Sequence, residues 1–272
     1  MRRLSLILCV LCVAAPAVAQ RNRELFPTFT LTGGGYLGDF GTKVRVDPHV
    51  EGLQGTTIDL EKNLGLESSR TLTRLGLQWR PFRRHELELS YFQTKREGRR
   101  VIDRQIVYED TTFPIQADVR SKFNIDFWEA TYTYWARQTE RDGIGINLGV
   151  TGMRVDGELA VRRNTDNAIL LSQTASTDVP VPVIGLEGRW LLTDRVMAMG
   201  RGEVLPKVSI KDYQGSAYVG KFSLEYRAFR NVGVGVAYNY FNLNGLVKKE
   251  DFHADLGMTV SGVEAFVRIV LR

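Results

Sequence analysis

The stretch SAYVGKFSLEYRAFRNVGVGVAYNYF, from Ser216 to Phe241, constrains the fold more than any other part of the chain. Apolar and polar residues alternate on either side of a short turn, and a period of two is the pattern of a β-hairpin. One face carries apolar side chains such as Phe222, and the other carries Lys221 and Glu225. A soluble sandwich turns such an apolar face to its core and a membrane barrel turns it to lipid, so alternation alone favours neither.

The N-terminus distinguishes these alternatives. A basic pair, Arg2 and Arg3, precedes an apolar run, and Ala17-Val18-Ala19 provides the small residues of a cleavage site. Residues 1–19 are therefore predicted to be a secretory signal peptide. Both cysteines of the chain lie inside it, so the exported protein is predicted to have neither a disulfide nor a lipid anchor. No later stretch approaches the roughly 18 apolar residues of a membrane helix.

The remaining residues, 20–272, are predicted to form one large all-β domain. Without Arg2 and Arg3 the chain contains 34 basic and 31 acidic residues, a formal net charge of +3. This mild excess gives no reason to expect a nucleic-acid partner.

Short polar turns alternate with longer polar connections along this domain. The short turns lie at 81–84, 138–143, 193–195 and 229–231, and the longer connections at 49–69, 96–119, 162–177, 211–215 and 246–251. Outer-membrane barrels have this layout, with the short turns on the periplasmic side. The pattern predicts a single ten-stranded antiparallel transmembrane β-barrel of the outer-membrane type, located in the cell outer membrane after the signal peptide is cleaved.

The predicted strands are 27–48, 69–80, 85–98, 119–137, 143–161, 177–192, 195–210, 215–229, 231–246 and 252–272. The segments 101–107 and 113–119 are expected to form a hairpin extension above the membrane. In the last strand the apolar positions are even up to Val260 and odd from Val263 onward. A one-residue bulge at Ser261-Gly262 is expected to restore the register.

The faces opposite the apolar ones carry charged residues that a barrel would enclose. Seven are acidic and six are basic, so we expect them to form salt bridges in a narrow lumen. A lumen filled by these side chains is favoured, and a narrow channel for ions or small solutes is the alternative. The residues are Arg74, Glu86, Glu88, Glu129, Glu187, Arg189, Arg201, Glu203, Lys221, Glu225, Arg227, Glu264 and Arg268.

Two of the three histidines are predicted to meet at the outer rim. The first and last strands of a closed barrel are neighbours, so the outer ends of these strands should bring together Asp47, His49, Asp251, His253 and Asp255. An Asp/His set can position a water molecule for hydrolysis or hold a metal ion. Solvated rim residues are the simpler interpretation, and the chain is predicted to be no enzyme and to need no cofactor or metal.

Two smaller features also have alternative interpretations. Asp59, Glu61 and Glu67 could recruit a divalent cation, but their spacing lacks the central glycine of a calcium loop, so a solvated loop is favoured. The LGL and GLE fragments beside them predict a short helix or turn at the barrel mouth. His85 follows Arg83 and Arg84, whose guanidinium groups could bind lipid phosphates. Anchoring at the membrane interface without a specific lipid is favoured over this.

Three segments carry a family resemblance: IDLEKNLGLE at 58–67, WRPFRRHELELSYF at 79–92 and the hairpin at 216–241. They resemble small proteobacterial outer-membrane β-barrel proteins, and the resemblance covers most of the exported chain. It implies location and architecture but no catalytic residue. The local signatures of omptin proteases, outer-membrane phospholipase A and lipid A deacylases are not found in the sequence.

The predicted role is therefore that of a non-enzymatic, monomeric barrel. Its long outer loops are expected to contact lipopolysaccharide or external ligands, and the barrel assembly machinery is expected to insert it. A narrow channel is the first alternative. A surface hydrolase that uses the rim Asp/His residues is the second.

Overall fold

The computed structural model describes residues 25–47, 56–101, 106–108, 111–113, 117–163, 169–210, 213–249 and 252–271. The predicted signal peptide lies outside these residues, as do His49 and Asp251 of the predicted rim set. Among the residues that are described, no helix is long and apolar enough to cross a membrane.

Nearly all of the described chain is β-strand. In chain order the elements are β1 (Phe29–Val46), β2 (Ile58–Asp59), α1 (Leu60–Leu64), β3 (Ser69–Phe82), β4 (His85–Val101), β5 (Ile106–Tyr108), β6 (Thr111–Phe113), β7 (Ala117–Gln138), β8 (Asp142–Arg163), β9 (Ile169–Leu191), β10 (Val196–Ile210), β11 (Tyr213–Arg227), β12 (Val232–Lys249) and β13 (Phe252–Leu271).

Ten long strands close into one antiparallel barrel. Each pairs with the next in the order β1, β3, β4, β7, β8, β9, β10, β11, β12 and β13. The ring closes where β13 pairs with β1, from Phe29↔Leu271 to Val46↔Ala254. The predicted strand number, strand order and contact between the first and last strands are confirmed. The short strands β5 and β6 pair with each other as a separate hairpin between β4 and β7.

Several of the predicted long loops are largely strand. The pairing of β8 with β9 continues to Arg162↔Ile169, that of β10 with β11 to Ile210↔Tyr213, and that of β12 with β13 to Lys249↔Phe252. The predicted connections at 162–177, 211–215 and 246–251 are therefore much shorter than expected. Polar composition does not exclude a strand, because the backbone ladder forms wherever side chains suit both faces of the sheet.

The barrel wall has two zones with opposite polarity. In the lower zone, toward the short turns, large apolar side chains such as Leu89 and Leu186 point outward. In the upper zone, apolar side chains such as Ile125 and Met258 are buried inside, while Lys95 and Asn244 are exposed. Inward apolar residues from both sides of the upper zone form one cluster: Tyr36, Phe40, Leu72, Ile125, Phe127, Met153, Val181, Val183, Ala217, Phe241, Leu243, Met258 and Val260.

This change of polarity accounts for the phase change in β13. Val260 and Glu264 both face the interior, the first in the upper zone and the second in the lower. The pairing of β13 with β1 and with β12 runs through Ser261 and Gly262 without a shift. The predicted bulge at these residues is wrong, because the apolar face moves from one side of the strand to the other while the register stays constant.

Gly262 allows a close approach between β13 and β1. A Cβ atom on Gly262 would lie 1.9 Å from the Leu37 carbonyl oxygen, whereas a Cβ on Gly41 of the same ladder would meet nothing within 4 Å. Gly262→Ala is expected to lower the free energy of unfolding by about 1–3 kcal/mol through forced backbone displacement. Gly41→Ala is the matched control and should change it little. Denaturant unfolding of both variants measures the two effects. Equal losses of stability in the two variants would contradict the close approach at Gly262.

The upper zone is divided into two sheets by two seams. The β3–β4 ladder ends at Arg74↔Phe92, and the β9–β10 ladder ends at Ile184↔Val204. Beyond the second of these points lie Pro180 and Pro182 on β9. Proline has no N–H group to donate to a neighbouring strand, so these residues end the ladder. Above this level β4, β7, β8 and β9 face the remaining strands across the apolar cluster.

The helix α1 packs against β1 and β4, in agreement with the predicted short helix or turn. The Asp59 side chain caps its first turn by accepting from the Lys62 N–H at 2.9 Å. Gly65 ends the helix with φ 70°, in the left-handed region that favours glycine. Leu66 then bridges to Gly98 of β4, where a Cβ would lie 2.7 Å from the Gly65 backbone. The segment therefore fits tightly against β4.

Candidate functional site: a charged layer inside the barrel

The predicted lumen residues all occupy inward positions in the lower zone, and we refer to these residues as the charged layer. Ten of the side chains are buried, and Arg74, Glu129 and Lys221 are half-buried. The strand period places them there, because the same alternation that sends apolar residues outward sends their neighbours inward. Buried charges need partners, so their contacts decide whether the layer fills the lumen.

Arg201 on β10 is at the centre of the charged layer. Its Nη2 donates to Glu88 at 2.5 Å and to Glu187 at 2.6 Å, and its Nη1 donates to Glu129 at 3.1 Å. Its Nε also donates to Glu187, at 2.9 Å. One guanidinium thus connects carboxylates from β4, β7 and β9, which ties three parts of the wall together across the lumen.

Arg189 closes the lower end of the layer. It forms a two-point contact with Glu86, through Nη1 at 3.1 Å and through Nη2, and its Nε donates to Glu187 at 2.8 Å. Its guanidinium carbon lies 4.6 Å from the centre of the Trp135 ring. Because cations are attracted to aromatic faces, the ring covers the lower side of the ion pair.

The residues that precede β1 close the lower mouth. Leu25 and Phe26 are buried with Trp135 and Met197, and the Phe26 and Trp135 rings meet edge to face at 4.7 Å between centroids. This closure was not predicted from the sequence. The sequence signal for this closure is the apolar pair Leu25-Phe26, which lies two residues before β1. The position of the pair under the barrel depends on the tertiary fold.

Further ion pairs fill the rest of the layer. Arg74 donates to Glu129 at 3.3 Å and lies 3.7 Å from Glu264. Arg268 donates to Glu225 at 2.8 Å, and Arg227 lies 3.8 Å from the same carboxylate. The contacts of Arg74, Arg189 and Arg201 join most of the predicted set in one network across the lumen, and Glu225, Arg227 and Arg268 form a separate group beside it.

Lys221 is the member of the layer that has no hydrogen bond or ion pair within the described part of the chain. It lies between two small cavities of about 60 Å³ and 50 Å³, and Arg74 also lines both. Such volumes hold a few water molecules at most. The interior around Lys221 and Arg74 therefore has room for only a few water molecules.

Arg96 closes the upper end of the barrel. Its side chain is 0% exposed and donates to Glu61 at 2.6 Å and to the Thr42 hydroxyl at 3.1 Å. The guanidinium also lies over the Phe40 ring, at 4.6 Å. Burial lowers the pKa of Arg96, and Glu61 opposes this shift by favouring the charged form. The pair fixes α1 to β4 and β1 and covers the lumen from above.

The three acidic residues of the first long connection, for which a solvated loop is favoured over a cation site, do not converge. Asp59 caps α1, Glu61 binds Arg96, and Glu67 pairs with Arg70 at 2.6 Å. The three carboxylates are engaged separately, and Glu61 is buried rather than solvated. Across the described ranges, no group of three or more His, Cys, Asp or Glu side chains is placed to hold a metal ion.

The predicted rim set comes together only in part. The Asp47 N–H donates to the His253 carbonyl at 2.9 Å, and Arg45 pairs with both Asp47 and Asp255. The His253 side chain is exposed and makes no hydrogen bond to any described residue. His49 and Asp251 lie outside the described residues. The described part of the rim is thus organised around an arginine and not around an Asp/His pair.

His85 lies in an aromatic group at the opposite end of the barrel. Its Nδ1 is 2.7 Å from the Tyr132 hydroxyl, and its ring packs edge-on against Phe82 and Tyr134. The neighbouring Arg84 donates to the Tyr134 hydroxyl at 3.3 Å. These contacts fit the favoured interpretation of an anchoring group beside a short turn.

The outer wall of the upper zone carries surface ion pairs. Arg99 binds Asp118 through Nε at 3.0 Å and through Nη2 at 2.8 Å, and Lys122 lies 3.1 Å from Glu158. The hydrogen bonds from Arg99 hold the pKa of Asp118 below its ordinary value. Solvent screens such pairs strongly, so they keep the outer wall polar and add little stability.

Comparison with known proteins identifies the fold. No family model matches the chain, and no curated protein matches it. The chain is similar to the outer membrane protease OmpT from Escherichia coli, with a TM-score of 0.57 and 10% identity over 89% of this chain and 97% of that one. It also aligns with the translocator domain of the autotransporter NalP from Neisseria meningitidis, with a TM-score of 0.48 and 11% identity over 86% and 88% of the two chains.

The likeness to OmpT shows the fold alone, because one barrel fold supports unrelated activities. The predicted resemblance to small proteobacterial outer-membrane barrels is confirmed at that level.

Proposed function

We propose that the chain is an integral outer-membrane β-barrel with a sealed lumen. The barrel anchors the upper zone, which we call the head, at the cell surface. The filling of the lumen by side chains is the observation that carries the proposal. The charged layer, the apolar cluster and the two end closures occupy the interior at successive levels.

The outward apolar band of the lower zone supports the membrane location. On β12 the outward apolar positions run from Val232 to Tyr240, nine residues, and about 9–11 residues are needed for a tilted strand to cross a bilayer. Exposed aromatic residues border the band at both edges, as in outer-membrane barrels. The upper edge has Tyr91, Trp128, Tyr218 and Tyr240, and the lower edge has Trp79, Phe82, Trp190, Tyr226 and Phe229.

The head is the part of the protein that meets partners outside the cell. Its outward residues are polar and its inward residues are apolar, which is the arrangement of a domain in water. We propose that the head contacts lipopolysaccharide or external ligands, that the barrel is monomeric and that the barrel assembly machinery inserts it. The channel alternative is disfavoured by the filled interior, and the hydrolase alternative is disfavoured by the arginine-centred rim.

A charged residue in the outward band provides the test of membrane location. Val236 is 53% exposed in the middle of the band, so Val236→Arg is expected to cost about 2–4 kcal/mol of folding free energy in lipid vesicles. Asn244→Arg is the control, because Asn244 points outward on the same strand but lies in the upper zone. Equilibrium folding into vesicles measures both, and equal tolerance of the two arginines would contradict the membrane location.

A further inference from the structure

We infer that Glu203 and Asn147 form an internal site for a single positive charge, either a proton or one alkali-metal ion, between two oxygen atoms inside the barrel. Asn147 is 0% exposed and Glu203 is 1% exposed. The Asn147 Nδ2 donates to Glu203 Oε1 at 3.1 Å. The two remaining oxygens, Asn147 Oδ1 and Glu203 Oε2, are buried acceptors with no donor among the described residues.

The wall is shaped to bring these two side chains together. Glu203 on β10 pairs with Gly185 on β9, and Gly185 pairs with Asn147 on β8, so the three residues lie in one row. A Cβ on Gly185 would lie 2.6 Å from Glu203 Cγ and 2.1 Å from the Gly202 carbonyl oxygen. The absence of a side chain at Gly185 therefore gives Glu203 the space to cross β9 and reach Asn147.

The neighbouring cation, Arg201, is distant from Glu203 and is shared with other carboxylates. Arg201 Nε lies 4.0 Å from Glu203 Oε1, and the Arg201 N–H groups donate instead to Glu88, Glu129 and Glu187. These three carboxylates are the acidic groups that share Arg201 with Glu203. The charged layer as a whole has seven acids and six bases, a formal net charge of −1.

The two oxygens belong to side chains that are hydrogen-bonded to each other, and neither oxygen has a donor among the described residues, so a bound positive charge would satisfy both. A proton on Oε2 would donate to Asn147 Oδ1 and complete a cyclic acid–amide pair, and an alkali-metal ion would accept both oxygens as ligands. A bridging water would satisfy the hydrogen bonds, but it would leave the Glu203 charge buried with only the shared Arg201 guanidinium at 4.0 Å beside it, which is costly.

The experiment compares the purified wild-type barrel with E203Q and with the control E187Q, in which a carboxylate bonded directly to Arg189 and Arg201 is neutralised. Infrared difference spectra at neutral pH detect the C=O stretch of a protonated carboxyl. Thermal unfolding in NaCl, KCl and choline chloride at equal ionic strength detects a bound alkali-metal ion. E203Q is expected to keep the unfolding midpoint within a few degrees of wild type, and E187Q is expected to lower it more.

A protonated-carboxyl band that E203Q lacks assigns the charge to a proton, and an alkali-ion dependence that E203Q lacks assigns it to a metal ion. Either result supports the inference. A wild-type protein that shows neither signature overturns it, whatever the midpoint of E203Q. If E203Q does not fold, Asn147→Ala takes its place, because loss of the Oδ1 acceptor should shift the acid band or remove the ion dependence.

Discussion

Replacement of Arg201 by methionine is expected to lower the free energy of unfolding by about 3–5 kcal/mol, the largest effect of any single change in the charged layer. The variant removes one cation from contact with Glu88, Glu129 and Glu187 while keeping a side chain of similar length. Since Glu187 and Glu88 are buried, their charges cannot be compensated by water. Denaturant unfolding in detergent micelles measures the loss.

Two further variants make the Arg201 experiment specific. Arg137→Met removes an arginine that is 64% exposed and pairs with Asp142, so it is expected to cost less than about 1 kcal/mol. The double variant Arg201→Met with Glu187→Gln should recover part of the loss, because it also removes one unpaired carboxylate. A loss at Arg201 no larger than that at Arg137 would show that the lumen is wet and that the network is screened.

Arg96→Ala is expected to have the second large effect, and a local one. The change leaves the buried Glu61 carboxylate without its cation and removes the contact with Thr42. Breaking a buried pair costs about 3–5 kcal/mol, which is expected to release α1 from β4 while the lower zone stays folded. Hydrogen exchange of the α1 amides should therefore become faster, with the lower-zone strands unchanged.

Arg100 offers the matched control for Arg96. It is exposed and donates to the Lys62 carbonyl of the same helix, so Arg100→Ala keeps the buried ion pair intact. Exchange in α1 should then stay close to wild type. Equal protection of α1 in both variants would contradict the role of Arg96 as the upper closure.

The strand layout could be predicted from the sequence because one simple alternation repeats along the chain. Outward apolar residues, such as Phe222 and Leu224 on β11, mark the strands of the lower zone, and short polar turns mark the strand ends. The upper zone was harder to predict, because its apolar residues face inward and its outward residues are polar. Its polar residues were therefore predicted to be loops, and the phase change after Val260 was predicted to be a bulge.

The contacts that close and neutralise the interior depend on register and could not be predicted. Arg96 and Glu61 are 35 residues apart, and Asn147 and Glu203 are 56 apart. A shift of one residue in any intervening strand would turn one member of each pair to the other face. The sequence could therefore predict which charges enter the barrel but not which charges meet there.

Conductance of the purified protein in a planar bilayer tests the proposed sealed membrane barrel most directly. A heat-dependent shift in gel mobility first establishes that the protein is folded, so that an absence of conductance cannot result from a failure to fold. The filled interior of the described barrel predicts no steady conductance at any salt concentration, because conduction needs a continuous wet path between the two ends. A steady conductance that rises with salt would contradict the sealed lumen and would support the narrow channel instead.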